Sequence, residues 1–315
     1  MFSTVFSDFK NILLYAVGLT CAYALVGKAI FWEFGLKFVS FQGMSLENFT
    51  TKIVTENSHH VLLFLVSWFL VALFFARALA ILLIDGVNRL VPVRLSGPLL
   101  LLAAGLLCYV GMDRLAPAFH ATRNPWLNFG AQVAVAAGFI LLGREALANR
   151  LVLTLLRHPL AGFVLATALY EGVVLGGVTP LSMAWSEYPA GFSRHMLGAL
   201  LGILLVLTIA FTIARVRPDS LLASIGQRSK AVMSHHLFTF LLINLTLAGF
   251  GVLVLQDIGI WTSYATPVTW PLYVGLGVGV PILIDEIGRR ATAALRLRWR
   301  QREGKAALPQ PVEGG

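Results

Sequence analysis

The sequence predicts an all-α fold, a polytopic integral membrane protein with eight transmembrane helices and both termini on the cytoplasmic side. Three observations predict it. The 315 residues are 57% hydrophobic and 12% charged, with mean hydropathy +0.79, and a soluble domain carries about twice that charge fraction. Apolar stretches that approach or exceed the roughly 17 residues a bilayer crossing needs occur eight times, at 11–31, 61–84, 97–112, 126–142, 160–181, 196–214, 231–256 and 268–287. With the N-terminus inside, the inner segments hold 17 of the 24 Lys and Arg and the outer loops hold 5. Lys28 and Arg77 fall within spans. That asymmetry is the positive-inside pattern, and an even number of spans is what keeps the 17 on one face.

The first span, "NILLYAVGLTCAYALVGKAIF", has no small-residue cleavage site after it and ends on Lys28 and Trp32, so it reads as a membrane helix rather than a cleaved signal. The long outer connection 32–60 spaces Phe41, Met44, Leu46, Phe49 and Ile53 among polar residues, which suits a short helix lying on the surface. "NFT" at 48–50 fits a glycosylation sequon and is weak evidence by itself. The third span is short and extends into "RLAPAF" or back into "VPVRL". The outer loop 182–195 carries Trp185 and Tyr188 at interfacial depth. The eighth span is interrupted by Gly275, Gly277, Gly279 and Pro281, which neighbouring helices can accommodate. Residues 1–290 form one transmembrane domain, and 291–315 form a basic, then disordered, cytoplasmic tail near anionic headgroups. No internal repeat is apparent, which weakens an inverted-repeat transporter reading.

The net charge of +9 and pI of 9.9 would suit nucleic acid, but the cations sort by membrane side, so no nucleic-acid partner is expected. Cys21 and Cys108 lie inside spans as packing residues, without disulfide or metal-ligand spacing. Charges placed in the hydrocarbon are costly and so are the candidates for chemistry. Glu171, mid-span in "ATALYEGVVLGG", is either protonated or paired across the bundle. Lys28 snorkels. Arg77 either snorkels or binds a phosphate on the cytoplasmic side. Asp285 and Glu286 are placed to pair locally with Arg289 and Arg290. His235 and His236 enter the seventh span behind Arg228, Ser229, Lys230 and Ser234, with His236 roughly 9 Å from the helix start. Adjacent residues point about 100° apart, so at most one of the two faces a given site. Each reads equally as a packing residue or as an acid/base.

The stretch "LLASIGQRSKAVMSHHLFTFLLIN" is similar to the late-helix signature of the membrane-bound acyltransferase 3 family, which includes fucose 4-O-acetylase-like and polysaccharide O-acetylating enzymes. Gly226, Ser229 and His236 keep the signature's spacing, Arg228 is displaced by one position, and Met233 replaces the usual aromatic residue. "VSWFLVALFFARAL" (66–79) resembles another helix of the family, with Trp68, Phe69, Leu70, Ala72, Leu73 and Arg77 on pattern. "EYPAGFSRHMLGALLGILLVLTIAFTIARVRPDSLLASIG" resembles the helix and basic loop leading into the signature. The resemblance spans residues 5–290 and departs in one respect. The first span here resembles the family's third helix and lacks the catalytic His of its first. Either the start is mis-assigned, or another membrane chain supplies the two helices, or the member is divergent.

The resemblance implies acyl transfer, acetyl before others, from cytoplasmic acetyl-CoA or another acyl-CoA, as donor substrate with no bound cofactor or metal, to a hydroxyl of a surface glycan or glycolipid. It places the protein in a bacterial inner membrane, among membrane lipids. It gives His236 or His235 the acid/base role and makes Arg77, Arg215, Arg217, Arg228 and Lys230 a phosphate-binding rim. Glu171 becomes a mid-membrane polar station, and Trp185, Glu187, Tyr188 and His195 become contacts for the sugar. The rival expectation is a non-catalytic membrane subunit, or a carrier for a lipid-linked or amphipathic substrate.

Overall fold

A computed structural model of the chain describes residues 2–36, 61–65, 67–148, 158–175, 181–216, 221–258 and 269–306. The expected surface helix in 37–60, Arg217 and the final residues 307–315 lie outside them. The described residues are helical apart from connections and one isolated bridge between Ser182 and Glu187. Seven of their helices are long and apolar enough to cross a membrane. The chain divides into two compact units, Met1–Ala223 and Ser224–Gly315.

In the first unit, α1 (Phe2–Asp8) passes through a π-helical turn, Phe9–Leu14, into α2 (Tyr15–Phe34). α3 (Ser67–Leu90) runs antiparallel to it. Asp8 meets Arg77, Phe9 meets Phe74, and Tyr23 meets Phe64 at the other end. α4 (Val93–Tyr109) continues through a second π-helical segment, Val110–Leu115, into α5 (Ala116–Thr122). The short third span of the sequence reading therefore extends in both directions, to Val93–Thr122. Pro117 stands at the start of α5, directly after the π-helical segment.

α6 (Pro125–Ala148) packs antiparallel on α4. Two glycines set that approach: a Cβ on Gly138 would lie 2.8 Å from the Ala104 carbonyl, and one on Gly111 would lie 2.6 Å from Val135 Cγ2. Ala80 of α3, Leu100 and Ala104 of α4 and Leu141 of α6 close the core between these three helices. α7 (Pro159–Leu175) covers most of the predicted fifth span. α8 (Gly191–Val216) packs beside α7, with the Tyr170 ring 3.7 Å from where a Cβ of Gly202 would stand.

α9 (Leu221–Gln227) spans the division and leads into α10 (Ser229–Gly249), which in the second unit packs on α11 (Trp270–Ala306). α11 continues through Pro281. Its glycines have a packing use. The Phe240 ring of α10 lies 2.7 Å from the position a Cβ of Gly277 would take, so only a glycine admits it. The Tyr273 hydroxyl donates to Asn244 Oδ1 between the two helices, and the Phe240 and Tyr273 rings meet edge-on at 5.5 Å.

Candidate functional site

The first unit gathers polar groups where the chain returns between α7 and α8. Ser182 and Glu187 exchange backbone hydrogen bonds of 3.1 and 2.9 Å, closing a tight hairpin. Within the turn the Met183 oxygen accepts the Ser186 N–H at 3.3 Å, whereas the Ala184 and Ser186 oxygens take side-chain donors, as buried carbonyls need donors. Side chains of α5 and α6 supply them. Asn128 Nδ2 and Gln132 Nε2 donate to the Ala184 oxygen at 3.2 and 2.8 Å. His120 Nε2 donates to the Ser186 oxygen at 3.2 Å. The Ser186 hydroxyl donates to Asn128 Oδ1 at 2.6 Å. Ser186 is fully buried and held at φ 49°, a left-handed conformation that a side chain makes costly.

The start of α8 is built with equal care. Phe192 N–H donates to Asp113 Oδ1 at 2.9 Å, which places a carboxylate at the positive end of the helix. Ala190 N–H donates to His195 Nε2 at 3.0 Å. His195 is 1% exposed, and its Nδ1 has no partner among the described residues. Tyr188 is buried among Met112, Ala116 and Val135, its hydroxyl likewise unpartnered. Burial and the nearby Cys108 push its phenol above the usual tyrosine range.

Of the four residues expected at a sugar, the structure therefore leaves Trp185 and Glu187 exposed and buries Tyr188 and His195. Beside them is a pocket of about 450 Å³. Met112, Ala116, Pro117 and the Tyr188 ring line it on the apolar side, and His120, Ser186 and Glu187 bring its polar atoms.

Arg77, the other first-unit candidate, is already engaged. Its Nε donates to Asp8 Oδ2 at 2.8 Å, and Asp8 is only 9% exposed. Arg77 thus has a partner that neither snorkelling nor phosphate binding anticipated. Lys28 and Glu171 are exposed, and no hydrogen bond or ion pair reaches Glu171 among the described residues. Arg215 stands in the last turn of α8.

In the second unit, His236 Nδ1 lies 3.1 Å from the Val232 oxygen and 2.9 Å from that of Met233. A carbonyl only accepts, so the neutral ring carries its proton on Nδ1 and offers the Nε2 lone pair. The ring stacks edge-on against Phe240 at 5.7 Å. His235 is half-buried one position away. Arg228 stands at the N-cap position of α10 and reaches Glu286 of α11 at 3.6 Å. Glu286 also holds Arg289 at 2.7 Å and Arg290 at 2.9 Å, and Asp285 holds Arg289 at 3.2 Å. The acidic pair of α11 thus pairs locally as its spacing predicts and also ties α11 to α10. Lys230 is exposed beside this cluster in sequence, and the Ser234 hydroxyl is buried without a partner among the described residues. No cluster of three metal-ligating side chains occurs among the described residues.

Sequence reasoning missed Asp8, Asp113, His120, Asn128 and Gln132. Asn128 and Gln132 carried a signal, since two amides four residues apart share one face of an otherwise apolar helix. His120 carried none beyond its position in the loop "LAPAFHATRNPW".

The fold and these sites define an α-helical protein with seven helices of membrane-crossing length among its described residues and a side-chain-latched hairpin beside a pocket. The chain matches no protein-family model, no curated protein and no solved structure.

Proposed function

We propose that the chain is a membrane-embedded O-acyltransferase of a bacterial inner membrane. It moves an acyl group, acetyl in the first instance, from cytoplasmic acyl-CoA to a hydroxyl of a surface glycan or glycolipid. The observation that carries the reading is the His236 ring, held by Nδ1 so that Nε2 is a base. In a signature resembling that of acyltransferases, Nε2 either takes the proton of the attacking hydroxyl or relays the acyl group. A positioned base of this kind contributes roughly 10²–10⁴ in rate. Arg77 and Arg228, two of the cations expected at the coenzyme's phosphates, are each paired with a carboxylate.

Eight spans with both termini inside complete the reading. α6 carries the chain about 36 Å away from the hairpin at 1.5 Å per residue. Yet the hairpin at 182–187 packs back on Asn128 and Gln132 near the start of α6. This return supports α7 as the predicted fifth span, which brings the count to eight. Both connections at this layer are outer loops in the charge-based orientation.

The test is transfer of label from acetyl-labelled coenzyme A into membrane glycans, comparing the chain with His236→Ala. Loss of label by about 100-fold or more is expected. Equal transfer by the variant, or none by the parent, defeats the proposal. The exposed Glu171 favours one alternative, a subunit or carrier whose partner supplies that carboxyl's hydrogen bond. In that case Glu171→Gln disrupts assembly or transport while His236→Ala does not.

A further inference from the structure

The pocket beside the hairpin has on its wall a histidine that the proposed reaction does not use. His120 donates through Nε2 to the Ser186 carbonyl, so its Nδ1 is the ring's lone-pair nitrogen. The ring is exposed, and no hydrogen bond reaches Nδ1 among the described residues. The second polar side chain that lines the pocket, Glu187, is exposed and contributes a carboxylate. The third, Ser186, spends its hydroxyl hydrogen on Asn128. No lining residue is cationic.

The polar side of the pocket is therefore made of acceptors. An anionic ligand finds a carboxylate and no counter-charge, and is repelled. A ligand rich in donors finds Nδ1 and two carboxylate oxygens. The remaining wall, made of Met112, Ala116, Pro117 and the Tyr188 ring, is apolar and suits the C–H face of a saturated ring. A volume of about 450 Å³ falls in the ordinary range of small-ligand pockets.

We propose that this pocket is a subsite for a neutral sugar ring, whose hydroxyls donate to His120 Nδ1 and to the Glu187 carboxylate. The proposal deepens the acyltransferase reading, on which it rests only for the expectation that the acceptor is a glycan. It makes the site selective against sugar phosphates. It also gives His120 two tasks, because the latch on Ser186 fixes the tautomer that binds.

The experiment is saturation-transfer NMR on the full chain in detergent micelles, with methyl β-glucopyranoside and glucose 6-phosphate as probes. The parent is expected to give signal with the neutral sugar and none with the phosphate. Glu187→Lys, an exposed change that leaves the hairpin's backbone bonds alone, is expected to weaken the neutral sugar about tenfold and to admit the phosphate. His120→Gln keeps an amide donor for Ser186 but removes the ring nitrogen, and is expected to weaken the neutral sugar about fivefold with the melting temperature held. Equal signal from both probes on the parent, no signal from the neutral sugar at tens of millimolar, or a Glu187→Lys protein with unchanged preference overturns the proposal. Binding is read without catalysis, so the two readings fail separately. Sugar binding without acyl transfer removes the enzyme and keeps the subsite, whereas acyl transfer without sugar signal does the reverse.

Discussion

If Asn128 and Ser186 hold the hairpin as a unit, replacing both should cost far less than the sum of replacing each. Asn128 gives two bonds: its amide nitrogen donates to Ala184 O at 3.2 Å, and its oxygen accepts the Ser186 hydroxyl at 2.6 Å. Asn128→Leu keeps the volume and removes both. The Ala184 carbonyl retains Gln132 at 2.8 Å, so that loss costs about 0.5–1 kcal/mol. The Ser186 hydroxyl, fully buried, is left stranded, which costs about 1–3 kcal/mol. The single variant should therefore lose roughly 2–4 kcal/mol. Ser186→Ala strands the Asn128 oxygen instead and should lose roughly 1–3 kcal/mol. In the double variant neither group is stranded, and the loss should return to about 1 kcal/mol, a coupling of about 2 kcal/mol or more. The assay is reversible unfolding in detergent, followed by circular dichroism and tryptophan fluorescence for the four proteins of the cycle. Single-variant costs that add to within about 0.5 kcal/mol would show that the two side chains do not act together.

Two further outcomes follow from the same core. Gly138→Ala places a methyl 2.8 Å from the Ala104 carbonyl, a backbone atom that cannot swing away, and should cost about 1–3 kcal/mol in the same unfolding assay. Tyr188→Phe removes a buried, unpartnered hydroxyl and should leave stability unchanged or raise it by up to roughly 1–2 kcal/mol. The Tyr188 phenol is raised in the folded state, so its contribution is fully present below the unfolded value near 10 and is lost as pH rises above it. Unfolding measured from pH 8 to 11 should show that alkaline decline shrinking in Tyr188→Phe.

The spans were legible because lipid imposes a length and a polarity on each helix, and both are written locally. Their ends were less so. The third span reads as 97–112, yet the helix runs from Val93 to Thr122 because a π-helical segment at Val110–Leu115 carries it past Asp113 and Arg114. Gly275, Gly277, Gly279 and Pro281 read as breaks, yet α11 passes through them, and at Gly277 the missing side chain is the seat of Phe240. Costly groups were legible one by one, and as pairs only where the partners lie a turn apart on one helix, as Glu286 and Arg290 do. Arg77 was conspicuous, whereas its partner Asp8 lies 69 positions away and is named only by tertiary packing. Tyr188 looked interfacial because amphipathic rings favour that depth, but here it is turned inward.

Three histidines show how the backbone settles chemistry that sequence leaves open. A neutral imidazole has one donor and one acceptor nitrogen, and nothing in the residue itself chooses between them. His236 meets carbonyls of its own helix at Nδ1 and is left with a basic Nε2. His120 meets the Ser186 carbonyl at Nε2 and is left with a basic Nδ1. His195 meets an N–H, from Ala190, so its Nε2 is consumed as an acceptor and its proton sits on a buried Nδ1. Two of the three therefore present a lone pair, and the third is committed to the turn that opens α8. For His120 the carbonyl that sets the tautomer belongs to a hairpin with a single bridge, which that same hydrogen bond helps Asn128 and Gln132 to keep docked. Releasing the hairpin would free Nε2 as well as Nδ1 and abolish the preference for one acceptor nitrogen. If the pocket takes a sugar as proposed, docking of the hairpin and recognition at the pocket are one equilibrium, and a change that loosens Asn128 or Gln132 should weaken the pocket without touching it.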